Sequence, residues 1–326
     1  MSIRTATLEI DPPVALAPLA GITDLPFRRL VARFGCGLVV SEMVASREVV
    51  QARPEARARA ELGLGEAATA VQLAGRDPYW MAEAARLVEA SGARIIDINM
   101  GCPAKKVTHG LAGSALLRDL PLAVRLIEAV VGAVKVPVTL KTRLGWDGGC
   151  MAAVELARMA EAAGVAMITV HGRTRQQFYT GRADWTAIGA VVSAVRVPVL
   201  ANGDIIDAAT ARAALAASGA AGVMVGRGAE GRPWQPALIA HALHGAPRPN
   251  VPQGAALAVL AAEHYEAMLS FYGRDLGARV ARKHLGWYMD GAGTPAALRA
   301  RVLTAPDPAA VLALLPAAIA GEALAA

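Results

Sequence analysis

Between Val14 and Gly226, short apolar runs, many of them β-branched, recur eight times. They are Val14–Leu19, Gly37–Glu42, Thr69–Ala74, Arg94–Met100, Val136–Lys141, Ala166–His171, Val197–Asn202 and Gly222–Gly226. Between them lie Ala-, Leu- and Arg-rich stretches of helical period, such as Tyr79–Ser91, Pro121–Val134, Met151–Ala163, Trp185–Val195 and Ala208–Ser218. Gly92, Gly164 and Gly219 stand where helix C-terminal stops belong. Eight strands in strict alternation with helices predict an α/β fold, a (β/α)8 TIM barrel, with an open doubly wound sheet as the competing arrangement. The rhythm stops at Gly245. A Pro-punctuated linker, Ala246–Gly254, leads to helical periodicity only, in Ala255–Tyr272, Leu276–Met289, Pro295–Val302 and Pro308–Leu324. The expected division is therefore a catalytic barrel over 1–245 and a linker plus small all-helical C-terminal domain over 246–326.

Composition narrows the class. At 55% hydrophobic and 18% charged residues, the chain has the core-forming balance that disordered proteins lack. A mean hydropathy of +0.39 raises the question of a membrane. The longest uncharged runs, Ala213–Gly226 and Pro308–Gly321, fall short of a span and carry Gly or Pro, so no membrane is expected. Met1–Glu9 holds Arg4 and Glu9 and no apolar stretch of secretory type, and the expected compartment is the cytoplasm. Cys36, Cys102 and Cys150 have no metal-ligand spacing, so no metal is expected. A net charge of +6 permits a polyanionic partner without demanding one.

Barrel active sites lie at the C-terminal ends of the strands, where six of these runs deliver polar residues. They are Gln72, Asn99, Lys141 with Arg143, His171 with Arg173, Asn202-Gly203-Asp204 and Gly226-Arg227. Strand alternation puts Lys141 and Arg143 on one face, as it does Asp97 and Asn99, with Val138 and Leu140 turned toward the helices. Singly, Gln72 could tie off strand ends and His171 could be a satisfied core histidine. A lysine ending an apolar strand is different, because a buried ammonium needs an anionic partner. Asn202-Gly203-Asp204 and Gly226-Arg227-Gly228 follow the last two strands, where many barrels bind phosphate, and Arg227 adds charge. With Lys141 facing a ring system, FMN fits, since a cation beside the flavin N1 and C2 carbonyl stabilises its reduced anion. Cys102, in the Asp97–Pro103 segment just past a strand end, reads as a general acid: a free thiol is mostly protonated at neutral pH. Cys36 and Cys150 read as inert.

These motifs resemble the tRNA-dihydrouridine synthases, and among them the bacterial B-type branch, over nearly the whole chain. The likeness rests on Ala17-Pro-Leu-Ala-Gly-Ile-Thr-Asp24, Ser41-Glu-Met43, Val71-Gln-Leu-Ala-Gly75, Asp97–Pro103 with Gly113-Ser114, Leu140-Lys-Thr-Arg143, Val170-His-Gly-Arg-Thr174, Ala201-Asn-Gly-Asp204, Gly226-Arg-Gly228 and Arg282-Lys-His-Leu-Gly-Trp-Tyr288. The resemblance implies FMN held by Pro18, Leu19, Ala20, Gln72, Lys141, His171, Asn202, Gly203, Asp204, Gly226 and Arg227. It also implies NADPH as reductant, Asn99 and Arg143 on the uracil edge, and Cys102 protonating C5 of a uridine in the tRNA D-loop. Leu19 stands where Met is common, a volume-conserving change. His109-Gly-Leu111 is a variable stretch within the Cys102 loop.

A uracil in folded tRNA must be extruded before it can be reduced, which demands grip on the RNA. Arg279, Arg282 and Lys283 fall on one helical face, with Trp287 and Tyr288 a turn beyond, and are the expected contacts, joined at the rim by Arg173. The Arg53, Arg57, Arg59 group reads as solvent-facing. Two other readings compete: an FMN barrel that reduces a free small molecule, and a non-catalytic RNA-binding relative. A monomer is expected.

Overall fold

The computed structural model describes residues 2–51 and 69–322; Arg53, Arg57, Arg59 and Leu324 lie outside them. All eight expected strands form: β1 (Val14–Leu16), β2 (Leu38–Val40), β3 (Thr69–Ala74), β4 (Ile95–Met100), β5 (Val138–Arg143), β6 (Met167–His171), β7 (Val199–Asn202) and β8 (Gly222–Val225). Each pairs in parallel with the next, and β8 returns to β1 through Val223–Val14 and Val225–Leu16. That last pairing closes the ring and excludes the open sheet. β5 and β7 begin two residues later than the apolar runs do, because Pro137 and Pro198 have no N–H for the ladder.

Helices α1 (Leu25–Arg33), α2 (Pro78–Ala90), α3 (Leu120–Val131), α4 (Ala153–Ala162), α5 (Trp185–Val192), α6 (Ala208–Ser218) and α7 (Gln235–His244) surround the barrel. Asp24, Asp77, Asp119, Asp184 and Asp207 cap α1, α2, α3, α5 and α6, each accepting a first-turn N–H. Such a cap is worth about 1 kcal/mol. Gly92, Gly164 and Gly219 end their helices with positive φ, as expected.

Alternation sorts the side chains. Val14, Leu16, Val71, Leu73, Ile96, Ile98, Val138 and Leu140 pack outward into the main core against the helices. The inward positions change character along the barrel axis. Near the strand starts, Ala15, Leu38, Ala70, Ile95, Met167, Leu200 and Met224 form an apolar layer, which Ile3, Leu8 and Ile10 of an N-terminal hairpin cover from below. Two residues further along, β3, β4 and β7 turn polar at Gln72, Asp97 and Asn202, joined by Thr139 of β5, all buried, while β1 and β2 stay apolar at Ala17 and Val40.

The C-terminal segment folds as α8 (Ala255–Tyr272), α9 (Arg274–Ala292), α10 (Ala296–Thr304) and α11 (Pro308–Leu315), with a final π-turn at Pro316–Ala320. These helices build a second core in which Leu30 and Trp234 of the barrel segment take part. Phe27 of α1 also reaches across, its ring 5.8 Å from His264 and 5.2 Å from His284. No helix among the described residues is long and apolar enough to cross a membrane.

Candidate active site

The polar interior opens into a cavity of about 730 Å³ at the C-terminal rim. Pro18, Leu19, Ala20, Gln72, Asn99, Cys102, Lys141, Arg143, His171, Asn202, Gly203, Asp204, Gly226 and Arg227 all line it. One chain of hydrogen bonds sets the orientation of its floor. Asn99 Oδ1 accepts the N–H groups of Gly101 (3.2 Å) and Cys102 (2.9 Å), so its amide nitrogen must face Gln72 Oε1, at 2.7 Å. Gln72 Nε2 is then left to donate to Asp97 Oδ2 at 2.6 Å, while Thr139 Oγ1 donates to Asp97 Oδ1. Burial raises the Asp97 carboxyl above its ordinary pKa.

Lys141 Nζ lies 3.1 Å from Asn202 Oδ1, and Asn202 donates in turn to Met224 O. Burial, then the neighbouring charge of Arg143, brings the Lys141 ammonium down to about 8. His171 is held neutral, first by burial and then by Lys141, Arg143, Arg173 and Arg227 around it. Arg173 Nη1 approaches His171 Nε2 to 3.2 Å. A guanidinium only donates, so Nε2 is the acceptor and the imidazole proton sits on Nδ1.

Asn202-Gly203-Asp204 turns sharply, with φ of +111° at Gly203 and +54° at Asp204. A Cβ at Gly203 would stand 2.8 Å from Ala183 Cβ and 3.0 Å from His171 Cδ2. Among the described residues no protein acceptor takes the N–H groups of Gly203, Asp204, Gly226 or Arg227. Four free donors at two adjacent strand ends, with Arg227 beside them, fit a phosphate. The Asp204 carboxylate is held from two sides. Oδ2 accepts Arg173 Nη2 at 2.6 Å and Ala183 N at 2.8 Å, and Oδ1 accepts Arg227 Nη2 at 3.4 Å. Burial works against its ionisation, but Ala183, Arg173 and Arg227 hold its pKa below the ordinary value.

Cys102 is half-buried at the mouth. Its carbonyl accepts both the N–H (3.1 Å) and the hydroxyl (2.9 Å) of Ser114. Gly113, at φ +60°, lets the loop fold back, since a Cβ there would lie 2.8 Å from Cys102 O. Gly113→Ala is therefore expected to displace the thiol and slow turnover on substrate, with bound cofactor unchanged by absorbance. Cys36 donates to Val14 O and Leu38 O, and burial pushes its thiol up to about 12, as suits an inert core residue.

Four expected substrate contacts lie outside this cavity, one buried behind its wall and three on the helical face where the spacing puts them. Arg173 is buried beneath the rim, giving Nε to Thr180 O, Nη2 to Gly181 O and Asp204, and Nη1 to His171, because its strand turns inward after Gly172. Arg173→Met should unfold more than about 2 kcal/mol more easily, read from a denaturant midpoint, since it strands those acceptors. Arg279, Arg282 and Lys283 are exposed on α9 outside the cavity, and Lys283 Nζ donates to Gly21 O at 2.5 Å, tying α9 to the loop after β1. Tyr288 is not on that surface: it is buried, 3.0 Å from His264 Nδ1. Phe178 and Tyr179, in the loop after β6 and outside every expected site motif, also line the cavity. Arg143 and Arg227 lie over the Tyr179 ring at 5.7 and 5.2 Å. In a chain only 4% aromatic, an adjacent pair so soon after His171 was the available signal.

A closed parallel β/α barrel with a cationic cup and a thiol at its C-terminal rim defines a barrel enzyme. The chain belongs to the dihydrouridine synthase family, whose sequence profile matches residues 15–323, and membership makes it an oxidoreductase. It is 64% identical over 316 residues to a probable tRNA-dihydrouridine synthase of Rhodobacter capsulatus, covering 97% of each chain. It is 46% identical over 289 residues to tRNA-dihydrouridine synthase B of Pseudomonas putida, covering 88% of this chain and 86% of that one. A solved histamine dehydrogenase from Rhizobium sp. 4-9 matches with a TM-score of 0.58 at 12% identity, over 81% of this chain and 50% of that one, a likeness of fold.

Proposed function

We propose that the chain is a flavin-dependent tRNA-dihydrouridine synthase that reduces the C5–C6 double bond of a D-loop uridine, with FMN as the flavin and NADPH as electron source. The observation that carries this reading is a loop-held thiol, Cys102, at the mouth of a cup whose floor presents Lys141 and whose far side presents four free N–H groups. The phosphate end would rest on Gly203, Asp204, Gly226 and Arg227, and the ring between Pro18, Leu19, Ala20, Gln72, Lys141, His171 and Asn202. When bound and reduced, FMN supplies a hydride to C6 of the uracil.

The residues of the chain do the rest. Cys102 donates the proton that C5 needs, and Ser114 and Asn99 fix where the thiol stands. Asn99, its amide already engaged on both sides, acts as a positioning residue. Arg143 binds Gly101 O, Thr174 O and Phe178 O, so it holds the wall of the uracil site and brings positive charge to it. His171 offers Nδ1–H as a neutral donor. The helical segment from 246 onward, with Arg279 and Arg282 on α9, grips the RNA, and the barrel over 1–245 carries the chemistry. The cytoplasm, where tRNA is found, is the proposed compartment.

The test is anaerobic: the enzyme is reduced with NADPH and mixed with unmodified tRNA transcript, free uridine or orotate. Flavin reoxidation with dihydrouridine formed only on tRNA is expected. Turnover on the free molecules without tRNA would make the chain a small-molecule oxidoreductase, and purification without flavin would make it a non-catalytic relative.

A further inference from the structure

Outside the cup, the rim carries a second cationic feature. Trp146, in the loop after β5, has two guanidiniums over its ring: Arg118 at 4.8 Å and Arg175 at 4.5 Å. Arg118 ends the turn that follows the Cys102 loop, and Arg175 belongs to the loop after β6. Among the described residues neither meets a carboxylate. The nearby acids are committed, Asp119 to capping Leu122 N and Asp147 to Gly149 N. Arg175 Nε is buried with no hydrogen-bond partner. The two cations thus converge within about 10 Å, a Debye length at 0.1 M salt, with neither paired to a carboxylate of the described residues. The fold holds them there. Arg175 N donates to Gly145 O, Gln176 N to Trp146 O, and Arg143 grips Thr174 O and Phe178 O on either side.

Place in the ring gives this cluster its meaning. Lys283 and Trp287 of α9 meet the barrel at Gly21, after β1, and Gly231, after β8. The cluster occupies the loops after β4, β5 and β6, across the closed ring from that contact. The geometry points to an RNA-backbone clamp formed by Arg118, Trp146 and Arg175, which takes phosphates on the side of the cup opposite the helical segment. It rests on the tRNA reading above. Guanidinium forks match phosphate oxygens, and the indole keeps both forks ordered without neutralising them. An RNA segment held on both sides of the mouth is strained toward releasing the base between the two grips into the cup.

The experiment compares tRNA binding by the Arg118→Gln/Arg175→Gln double variant with an equal-charge control, Arg158→Gln/Arg212→Gln, whose arginines lie exposed on α4 and α6. The clamp variant is expected to bind unmodified tRNA transcript about tenfold more weakly at 0.15 M salt, and its log K against log salt slope should fall by about 1.4 to 1.8, for two phosphate contacts. KM for tRNA should rise with kcat within about twofold, flavin reduction by NADPH should be unchanged, and Arg118→Lys/Arg175→Lys should recover most of the salt slope. A clamp variant with wild-type affinity and slope, or one matched by the control, would overturn the clamp alone. A wild-type enzyme with no salt-dependent tRNA binding would overturn both the clamp and the tRNA reading.

Discussion

The Cys102→Ala enzyme is expected to purify with its flavin and to be reduced by NADPH at the wild-type rate, while reoxidation by tRNA slows at least about a hundredfold. Hydride arriving at C6 leaves enolate character at C5, and a positioned acid at that carbon is worth typically 10²–10⁴-fold over water. The two half-reactions separate because the thiol is at the mouth, beyond the residues proposed to hold the flavin. Its backbone is held by Asn99 and Ser114, so truncating the side chain leaves the loop anchored. Cys36→Ala and Cys150→Ala serve as controls. Cys36 is spent on Val14 O and Leu38 O, and Cys150 on Leu117 O. Rapid mixing without oxygen decides it, and a Cys102→Ala enzyme that reoxidises on tRNA at full rate removes the general-acid role.

Lys141→Met should produce two effects of opposite sign. Flavin should be lost, because the cation facing the ring is gone; Lys141→Ala should lose it as well. The flavin-free protein should nevertheless melt higher than flavin-free wild type at pH 7. Burial lowers the ammonium from 10.5 to about 8, a cost to the folded state of about 3 kcal/mol while the group is charged. The sign follows from proton counting. Between pH 8 and 10.5 the unfolded chain holds a proton that the native chain has released, so wild-type stability rises with pH in that window. The advantage of the Met variant should therefore be full below pH 8 and vanish as pH approaches 10.5. Wild-type affinity for FMN should fall as pH passes about 8. A Met variant that keeps full flavin, or melts lower at every pH, contradicts the assignment.

Where local rules act alone, the sequence was readable. Strand alternation placed Val138 and Leu140 outward and Lys141 and Arg143 inward, and the glycine stops fell where helices end. Closure was harder, since β8 meeting β1 is a contact between residues some two hundred apart that no local pattern encodes. Arg173 illustrates the other limit. Alternation carries a side chain only as far as the strand continues, and beyond Gly172 the backbone turns and buries it beneath the rim. Tyr288 shows a related limit: helical spacing gives a face, and tertiary packing decides what that face meets. Asp204 was legible as a loop residue, though not that its carboxylate bridges Arg173 and Arg227.

Helix α1 belongs to both cores, since Phe27 packs with the barrel while Leu30 closes against α8 and α9. Its two faces are completed at very different moments of synthesis. The barrel side can form as the strands emerge, but its other side waits for residues made about 220 positions later, roughly 10 to 45 s at ordinary elongation rates. Throughout that interval a nascent chain displays Leu30 and Phe34 as an open apolar seam, which Trp234 joins shortly before the last helices are made. The seam is sealed only when the last helices arrive, and a chain cut short near residue 245 leaves the ribosome with it open.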